Sequence, residues 1–421
     1  MADPVTLLQD LIRFNTVNPP GNEREAQEHL AGMLEGAGLE VELLGNTPER
    51  PNVVARLRGT GDGPTLCLLS HMDTVLANPE EWTHDPWSGH IDGTVLYGRG
   101  AQDMKHQTAA EACAAVRLAQ EGWQGKGDLL VVCVVDEEVG GHEGARWICR
   151  EHPDKVRCDY LLNEGGGTLV PFGDQRLYPV AIGEKGVFRF LLRTRGRAAH
   201  ASMPRLGDNA LVKIAPLLAA MADRQPDYDV TEGPQKLLDD LGVSYEDLRD
   251  ADPLLAAVIE PMLGVTIAPT MARASEKINV IPSLAEVEVD CRVPPGLGRE
   301  EAERRIREVL GDGDYELEFT DETVGTASPA ASPLLDAISE WLATEDPGSR
   351  VVTTVLPGFT DSLTWRETFP DVVAYGIFPQ REMTLYQGGA ALWHAADERI
   401  DVRDVEFATR FFADMARRIC G

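Results

Sequence analysis

Runs of apolar residues alternate with segments of helical spacing along the first half of the chain. Strands that are apolar on both faces are predicted at 52–57, 65–70, 129–135 and 159–163. Helices are predicted before and between them, at 5–14, 23–37 and 104–121. Two further strands and a helix are predicted near the C-terminus, at 351–356, 372–378 and 402–418. This pattern is typical of an α/β fold with a mainly parallel sheet flanked by helices.

The middle of the chain has a different pattern. Residues 185–196 alternate apolar and polar side chains, as a half-exposed strand does. The predicted elements that follow are a helix, two strands, a helix and a strand, at 208–223, 264–272, 284–292, 298–310 and 314–320. The β-α-β-β-α-β order predicts a split βαβ domain at 185–321, inserted between 1–184 and 322–421 of a larger domain. No role is predicted for the polar stretch 224–262.

Composition and charge narrow the classes of function. A chain of 421 residues is long enough for two domains of ordinary size. The net charge of −30 disfavours nucleic-acid binding, because it repels phosphate groups. The sequence has neither an apolar run of about 18 residues, as a membrane span needs, nor the N-terminal pattern of a signal peptide. The seven cysteines lack a Cys-x-x-Cys spacing, which favours reduced, buried thiols in a cytoplasmic protein.

Polar residues follow the predicted strands at their carboxyl ends, where parallel α/β sheets place metal and catalytic groups. Three strands are followed in this way, and the residues are His71, Asp73, Glu137, Glu138 and Glu164. Asp103 lies in a further loop, where Gly98 and Gly100 permit a tight turn before a helix. His394 comes late in the chain, in the segment 393–398.

Two imidazoles and three carboxylates on separate loops offer nitrogen and oxygen ligands for two divalent metal ions. A carboxylate that bridges both ions would let them share one activated water. Asp73 can contact the second ring nitrogen of His71 or simply neighbour it. Glu137 and Glu138 are adjacent, so one can bind a metal ion while the other acts as a general base. Each residue alone fits an ordinary loop or capping role, but together they favour a metal site.

Five motifs carry a resemblance to a known family. In chain order they are LLSHMDTV, YGRGAQDMK, VVDEEVGG, NEGGG and WHAADE. They resemble the di-zinc family of acetylornithine deacetylase, succinyl-diaminopimelate desuccinylase, glutamate carboxypeptidase, aminoacylase and Gly-X carboxypeptidase, over nearly the whole chain. The resemblance implies a zinc-exopeptidase-like catalytic domain with an inserted lid and dimerisation domain. It also implies two divalent ions, zinc first, with cobalt or manganese as alternatives.

The resemblance further implies the reaction and the roles of the metal-site residues. The expected reaction is hydrolysis of an amide bond next to a free carboxylate, in an N-acyl amino acid or a small peptide. Asp103 would bridge the two ions, and the peptide bond after it would be cis. The other expected ligands are His71 and Glu164 for one ion, and Glu138 and His394 for the other. Glu137 would be the general base, and Asp73 would orient His71.

Three residues of the inserted domain match positions that contact the substrate in the family. His200, in GRAAHASMP, would reach the active site of a partner subunit and stabilise the oxyanion. Asn279, in KINVIP, and Arg292, in DCRVPPG, would hold the substrate carboxylate. A homodimer is therefore expected, and the strand 185–196 is expected to pair edge to edge across its two-fold axis.

Several alternatives stay open at this point. Many family members have Gly-Gly-Thr-Asp where this chain has PGFTDSL at 357–363, so the side chain recognised and the choice between deacylase and carboxypeptidase stay open. A di-metal phosphoesterase could use similar ligands, although the sequence lacks a Gly-rich phosphate loop with a lysine. A non-catalytic binding protein on the same fold is a third class, which the intact Glu137 and the five ligands disfavour.

Overall fold

The computed structural model describes residues 2–387 and 392–421. Its helices are α1 Pro4–Arg13, α2 Arg24–Gly36, α3 Lys105–Gln120, α4 Ala145–Glu151, α5 Pro153–Val156, α6 Ala210–Asp223, α7 Glu232–Leu241, α8 Tyr245–Ala251, α9 Pro253–Ile259, α10 Arg299–Leu310, α11 Pro333–Glu345, α12 Ser362–Thr368 and α13 Val402–Cys420. Its strands are β1 Glu40–Leu44, β2 Asn52–Leu57, β3 Leu66–His71, β4 His90–Asp92, β5 Val95–Tyr97, β6 Leu129–Val134, β7 Tyr160–Asn163, β8 Val170–Phe172, β9 Gln175–Glu184, β10 Gly186–Val187, β11 Phe190–Arg195, β12 Ala199–His200, β13 Thr266–Arg273, β14 Val280–Ile281, β15 Leu284–Val293, β16 Glu316–Phe319, β17 Ser349–Leu356, β18 Val373–Gly376 and β19 Arg399–Asp401. Among these helices, none combines the length and the apolar character that a membrane crossing requires.

The chain divides into two compact units. The first unit consists of Met1–Ile182, Ser328–Thr354 and Thr360–Gly421. The second unit consists of Gly183–Ala327 and Val355–Phe359, and it contains the range 185–321 expected for the inserted domain. The chain therefore passes between the two units four times, twice around the long segment Gly183–Ala327 and twice around the short segment Val355–Phe359.

The first unit is built on a nine-stranded sheet within the described residues, in the order β1-β2-β6-β3-β7-β18-β9-β17, with β8 paired to β9. The four strands β6, β3, β7 and β18 are mutually parallel, whereas β1, β2 and β9 pair antiparallel with their neighbours. The parallel centre confirms the predicted α/β class. It also brings the carboxyl ends of β3, β6 and β7 to one edge, where the candidate site lies.

Helices cover both faces of this sheet. One core joins the sheet to α1, α2, α3, α11 and α13 through residues such as Leu8, Leu30, Ala112 and Phe411. The opposite core joins it to α4 and α12 through Ile148 and Trp365. Strands β3 and β6 are buried along their whole length, which explains why they appear in the sequence as continuous apolar runs.

A small three-stranded sheet, in the order β19-β5-β4, lies in the same unit. β19 pairs antiparallel with β5, so Arg399 lies opposite Tyr97 although the two are far apart in the sequence. The loop after β5 carries Asp103, and the loop before β19 carries His394. This pairing therefore brings two expected metal ligands to the same place.

The second unit contains an antiparallel sheet whose main strands run in the order β13-β15-β11-β16, with α6 and α10 packed on one core. This is the strand order of a split βαβ domain. The polar stretch 224–262 forms α7, α8 and α9, for which the sequence pattern predicted no elements.

The predicted strand 185–196 is divided into β10 and β11, which pair with β15 in one register. β11 also pairs with β16 on its other side, so it is an internal strand among the described elements. The expectation that this strand pairs edge to edge in a dimer is therefore wrong, because both of its hydrogen-bonding edges are occupied. The outer strands of the sheet are β13 and β16.

Candidate metal centre

His71 is the last residue of the buried strand β3, and its ring lies between two expected partners. Its Nδ1 lies 3.0 Å from the carbonyl oxygen of Asp73 and 3.5 Å from Asp73 Oδ1. Its Nε2 lies 3.1 Å from Asp103 Oδ1 and 3.8 Å from Glu164 Oε1. A carbonyl oxygen only accepts hydrogen bonds, so Nδ1 donates; in the neutral ring Nε2 then has the lone pair that a metal ion needs.

Asp103 lies in the loop between β5 and α3, where Gly100 has a φ of +91° that favours glycine. The peptide bond Asp103–Met104 is cis, which confirms the expectation. The two carboxylate oxygens face different imidazoles: Oδ1 lies 3.1 Å from His71 Nε2, and Oδ2 lies 3.3 Å from His394 Nε2. This is the arrangement that a bridging ligand needs.

The remaining candidate ligands form two groups. His71, Glu137 and Glu164 each offer a ligand atom within 4.8 Å of the others, and so do Asp103, Glu138 and His394. Glu138 Oε2 also lies 3.4 Å from His394 Nε2. Glu137 was expected as a base outside the ligand set, yet its carboxylate lies as close to His71 and Glu164 as a ligand would.

The three glutamates of the centre are half-buried and lie among other carboxylates, and this environment raises their pKa values. Burial and the neighbouring charge of Glu164 raise the pKa of Glu137 well above its usual range. Burial and the charge of Asp103 do the same to the pKa of Glu164. The pKa of Glu138 is also raised, chiefly by burial. Desolvation and the neighbouring carboxylates therefore disfavour the ionised forms of all three glutamates.

The imidazoles and Asp103 stabilise one another. Burial opposes a charge on His71, but its hydrogen bonds with Asp103 and Asp73 outweigh burial and raise its pKa well above the usual value. Hydrogen bonds with Asp103 and Glu138 raise the pKa of His394 to about 10. Burial opposes ionisation of Asp103, yet the hydrogen bonds from both imidazoles lower its pKa below its usual range. These contacts therefore favour the protonated form of both imidazoles and the ionised form of Asp103.

Glu398 holds the Asp103 loop in place, and sequence reasoning did not single it out. One of its carboxylate oxygens accepts hydrogen bonds from Gln102 N at 2.5 Å and from Asp103 N at 3.0 Å. The other accepts from Gly100 N at 3.1 Å and from Arg99 Nη1 at 2.6 Å. Its place in the motif WHAADE was a signal, but its partners lie about 300 positions away in the sequence.

Asp361 is a second acidic residue that sequence reasoning did not assign. It lies in the divergent segment 357–363, is buried, and has a pKa raised to about 7 by burial and by the charges of Asp73 and Asp136. A Cβ atom added to Gly141 would lie 3.1 Å from its Oδ1. The segment expected near the substrate therefore adds a carboxyl group beside the loop of Glu137 and Glu138.

His200 is exposed in the second unit, on strand β12, which pairs with β14 so that His200 lies opposite Val280. The backbone N–H of Ser202 donates to His200 Nδ1 at 3.2 Å, and Ser202 Oγ lies 2.8 Å from the same nitrogen. Because Nδ1 accepts a hydrogen bond, the proton of the neutral ring is on Nε2. His200 thus presents an N–H donor towards solvent.

The two expected carboxylate-binding residues lie on different parts of the second unit. Asn279 is exposed, and its carbonyl oxygen accepts a hydrogen bond from Ala201 N at 2.9 Å, which places it beside the His200 loop. Arg292 is on β15, where its Nε and Nη2 donate to the carboxylate of Asp290 at 2.8 and 3.2 Å. Asn279 is therefore brought to His200, whereas Arg292 is engaged in a pair with Asp290 that leaves Nη1 for another acceptor.

Comparison with known proteins identifies the family. Residues 67–418 match the model of peptidase family M20/M25/M40, and the chain therefore belongs to this family. The family is metal-dependent, and this chain supplies two groups of candidate ligands. The predicted family resemblance is confirmed.

Curated relatives match about half of the chain. The succinyl-diaminopimelate desuccinylase of Gluconobacter oxydans is 34% identical over 236 residues, which cover 54% of this chain and 58% of that protein. The protein of the same name from Stenotrophomonas maltophilia is 32% identical over 229 residues, which cover 54% and 59%. The chain thus spans a little more than half the length of the curated relatives that it matches.

Solved structures are similar over the whole chain. The M20 family metallo-carboxypeptidase Sso-CP2 from Sulfolobus solfataricus has a TM-score of 0.75 at 18% identity, covering 100% of this chain and 99% of that chain. Human carnosine dipeptidase 1 has a TM-score of 0.71 at 14% identity, covering 99% and 96%. At these identities the similarity shows the fold, and it confirms the predicted fold class.

Proposed function

We propose that this chain is a metal-dependent hydrolase that cleaves an amide bond next to a free carboxylate, in an N-acyl amino acid or a small peptide. The observation that carries the proposal is the Asp103 carboxylate, whose two oxygens face His71 and His394. Membership of the peptidase family favours amide hydrolysis over a di-metal phosphoesterase or a non-catalytic binding protein.

The donor set fits two divalent cations. Four carboxylates and two imidazoles form two groups, and Asp103 of one group also contacts His71 of the other. Desolvation raises the pKa of all three glutamates. Divalent ions would stabilise the ionised carboxylates by compensating their charge. Nitrogen and oxygen ligands at such spacing suit zinc, with cobalt or manganese as alternatives. His71 and Glu164 would hold one ion and Glu138 and His394 the other, with Asp103 as the bridge.

The chain's own residues would divide the remaining chemistry. Bound ions would supply charge to polarise the scissile carbonyl and to lower the pKa of the attacking water. Glu137 would accept the proton of that water at its carboxylate and return it to the leaving nitrogen. Asp73 would keep the His71 ring in the tautomer that leaves Nε2 unprotonated, through the 3.0 Å contact of Nδ1 with its carbonyl oxygen.

His200 would stabilise the oxyanion from a neighbouring subunit. Its exposed ring and its Nε2–H, left by the Ser202 hydrogen bond to Nδ1, support this role. Exposed apolar side chains on the second unit, which include Leu211, Val212 and Ile278, support a homodimer in which the second unit is the interface. All seven cysteines are free and buried, which supports a reducing, cytoplasmic setting.

Asn279 and Arg292 would bind the free carboxylate of the substrate. Asn279 supports this through its position beside the His200 loop, and Arg292 through the Nη1 group that its pair with Asp290 does not use. The desuccinylase relatives favour an N-acyl amino acid as substrate. The segment 357–363 diverges from the family pattern, so the substrate side chain that a relative prefers is not carried over to this chain.

The proposal is tested with a panel of N-acyl amino acids and dipeptides, each paired with its C-terminal amide. Metal analysis of active protein should find about two divalent ions per chain, and a chelator should abolish turnover that added metal restores. Substrates with a free carboxylate should be cleaved better than their amides. For the substitutions Glu137→Gln and Glu138→Gln in the centre, the matched control is Glu151→Gln, because Glu151 is exposed at the end of α4. Active protein without metal, or equal cleavage of both members of each pair, would contradict the proposal.

A further inference from the structure

The turn that presents Glu137 and Glu138 begins with an unusual backbone conformation at Asp136. This residue follows β6 and has a φ of 73°, a left-handed value that costs free energy for a side chain other than glycine. Its carbonyl oxygen accepts a hydrogen bond from Gly141 N at 2.6 Å. Its Oδ2 accepts one from Glu143 N at 3.1 Å. The turn therefore closes on the Asp136 side chain, whose other oxygen is held from outside the turn.

Asn18 joins that side chain to the residue that contacts His71. Its Nδ2 amide donates to Asp136 Oδ1 at 3.1 Å and to Asp73 Oδ2 at 2.8 Å. Asn18 is itself anchored, because its backbone N–H donates to the carbonyl oxygen of Thr74 at 2.9 Å. One amide group thus fixes the distance between two buried carboxylates.

Asp73 in turn holds both glutamates by their backbones. Its Oδ1 accepts a hydrogen bond from Glu137 N at 3.1 Å, and its Oδ2 accepts one from Glu138 N at 3.2 Å. The same carboxylate lies 3.5 Å from His71 Nδ1. The orientation of both glutamates and of one imidazole therefore depends on where this single carboxylate lies.

Arg50 fixes the far end of the network. Its Nη1 donates to Asp136 Oδ1 at 2.8 Å, while Nη2 and Nε donate to the two carboxylate oxygens of Glu23 at 2.5 and 3.0 Å. A Cβ atom at Gly21 would lie 2.4 Å from Arg50 Cζ, so the backbone at this glycine packs directly against the guanidinium group. The guanidinium group of Arg50 is consequently held by two carboxylates and by the backbone at Gly21.

The network also has a charge requirement. Glu23, Asp73 and Asp136 are buried carboxylates, and Arg50 forms ion pairs with Glu23 and Asp136. Removing a partner from a buried ion pair leaves an uncompensated charge, which is far more costly than loss of an exposed pair. Without Arg50, Asp136 would be pushed from its position and the turn would lose its anchor.

We propose that Arg50 and Asn18 are positioning residues that hold Glu137 and Glu138 in their two different roles. Adjacent glutamates have side chains that diverge only if the backbone between them is fixed, and here Asp136 and Asp73 fix it. The inference rests on the proposed function, since it takes Glu138 as a metal ligand and Glu137 as the base. Neither Arg50 nor Asn18 is placed to touch substrate, so both act through other residues.

The test uses the full chain with Arg50→Met, Arg50→Lys and Asn18→Ala. Arg58→Met is the matched control, because Arg50 lies just before β2 and Arg58 just after it, but the Arg58 side chain is exposed and pairs with exposed Glu40 and with Asp128. Competition with a chromophoric chelator for Zn²⁺ should show one of the two binding steps weakened by about 10–100-fold in Arg50→Met and Asn18→Ala. Their kcat should fall by a similar factor with KM nearly unchanged, and Arg50→Lys should recover part of both losses.

Hydrogen exchange of the metal-free protein supplies a readout that does not depend on activity. Amides of residues 136–143 should exchange faster in Arg50→Met than in the unchanged chain, while the rest of the first unit is unaffected. Wild-type metal affinity, kcat and exchange in a folded Arg50→Met would overturn the proposal, and so would faster exchange throughout the unit. If Arg50→Met does not fold, Asn18→Ala decides by the same criteria. If the unchanged chain binds none of Zn²⁺, Co²⁺ and Mn²⁺, the proposed function fails, whereas the exchange data still test the anchoring of the turn.

Discussion

We expect the buried residue His106 to make the free energy of unfolding of the first unit depend on pH. It lies in the first turn of α3, is buried, and packs edge to face on Phe378 with ring centroids 4.2 Å apart. Among the described residues, its Nδ1 has no hydrogen-bond partner. Burial disfavours the charged imidazolium and lowers the pKa of His106 to about 3. In the unfolded chain the same histidine has an ordinary pKa of about 6.5.

The sign and the size of the effect follow from these two pKa values. As the pH falls below about 6.5, the unfolded chain binds a proton that the folded chain does not, so the free energy of unfolding decreases. A pH of about 5 lies roughly 1.5 units below the pKa of His106 in the unfolded chain, which corresponds to a loss of about 2 kcal/mol in the free energy of unfolding. This figure holds for any folded-state pKa well below 5. His106→Leu removes the titrating group and should remove this part of the pH dependence.

The assay is urea unfolding of the metal-free chain at about pH 7.5 and about pH 5, followed by tryptophan fluorescence. Between the two conditions, the unchanged chain should lose about 2 kcal/mol more than His106→Leu does. His29→Leu is the control, because the ring of His29 is exposed on α2 and should leave the pH dependence as it is. Equal pH dependence in the unchanged chain and in His106→Leu would refute the reasoning.

Three further predictions concern the catalytic centre. Glu137→Gln should keep both metal ions and lower turnover by about 10²-fold or more. Glu138→Gln should instead weaken the affinity for one metal ion, as measured by metal titration. Identical behaviour of the two variants would show that the two roles are not divided. His200→Ala should lower kcat by roughly 10²–10³-fold, and mixing its chains with Glu137→Gln chains should restore one site per heterodimer; no recovery in proven heterodimers would reject the shared site. Glu398→Ala leaves buried Arg99 without its carboxylate partner and should lower the free energy of unfolding of the metal-free chain by about 3–5 kcal/mol, as measured by thermal unfolding. An unchanged unfolding transition would contradict this role of Glu398.

The central strands of the first unit were predictable because burial on both faces leaves a local signal. β2, β3, β6, β7 and β18 all fall within or beside predicted apolar runs. β9 was missed, since its segment QRLYPVAIGE mixes polar residues and a proline, and its place depends on pairing with strands from the other end of the chain. Helix α7 was missed because Gly233 and Pro234 in its first turn resemble a loop in sequence.

The residue types of the candidate centre were also visible in the sequence. His71, Glu137, Glu138 and Glu164 lie at or shortly after the carboxyl ends of buried strands, and parallel strands bring such positions to one edge of a sheet. His394 lies outside this pattern, because no predicted strand directly precedes it, and its assignment to one of the two ions came from the motif that resembles the family. The structure then brings His394 within 3.3 Å of Asp103 through the pairing of β19 with β5.

The sequence by itself determined the central strands of the first unit and the residue types that can bind metal, since periodicity and position near the end of a strand are local properties. Only the tertiary structure showed that Glu398 holds the Asp103 loop and that Asn18 joins Asp73 to Asp136. The hydrogen bonds of Asn18 join residues more than fifty positions apart, and those of Glu398 join residues about three hundred apart. Such contacts depend on distances and angles that exist only after the chain has folded, so no local pattern of apolar and polar residues records them.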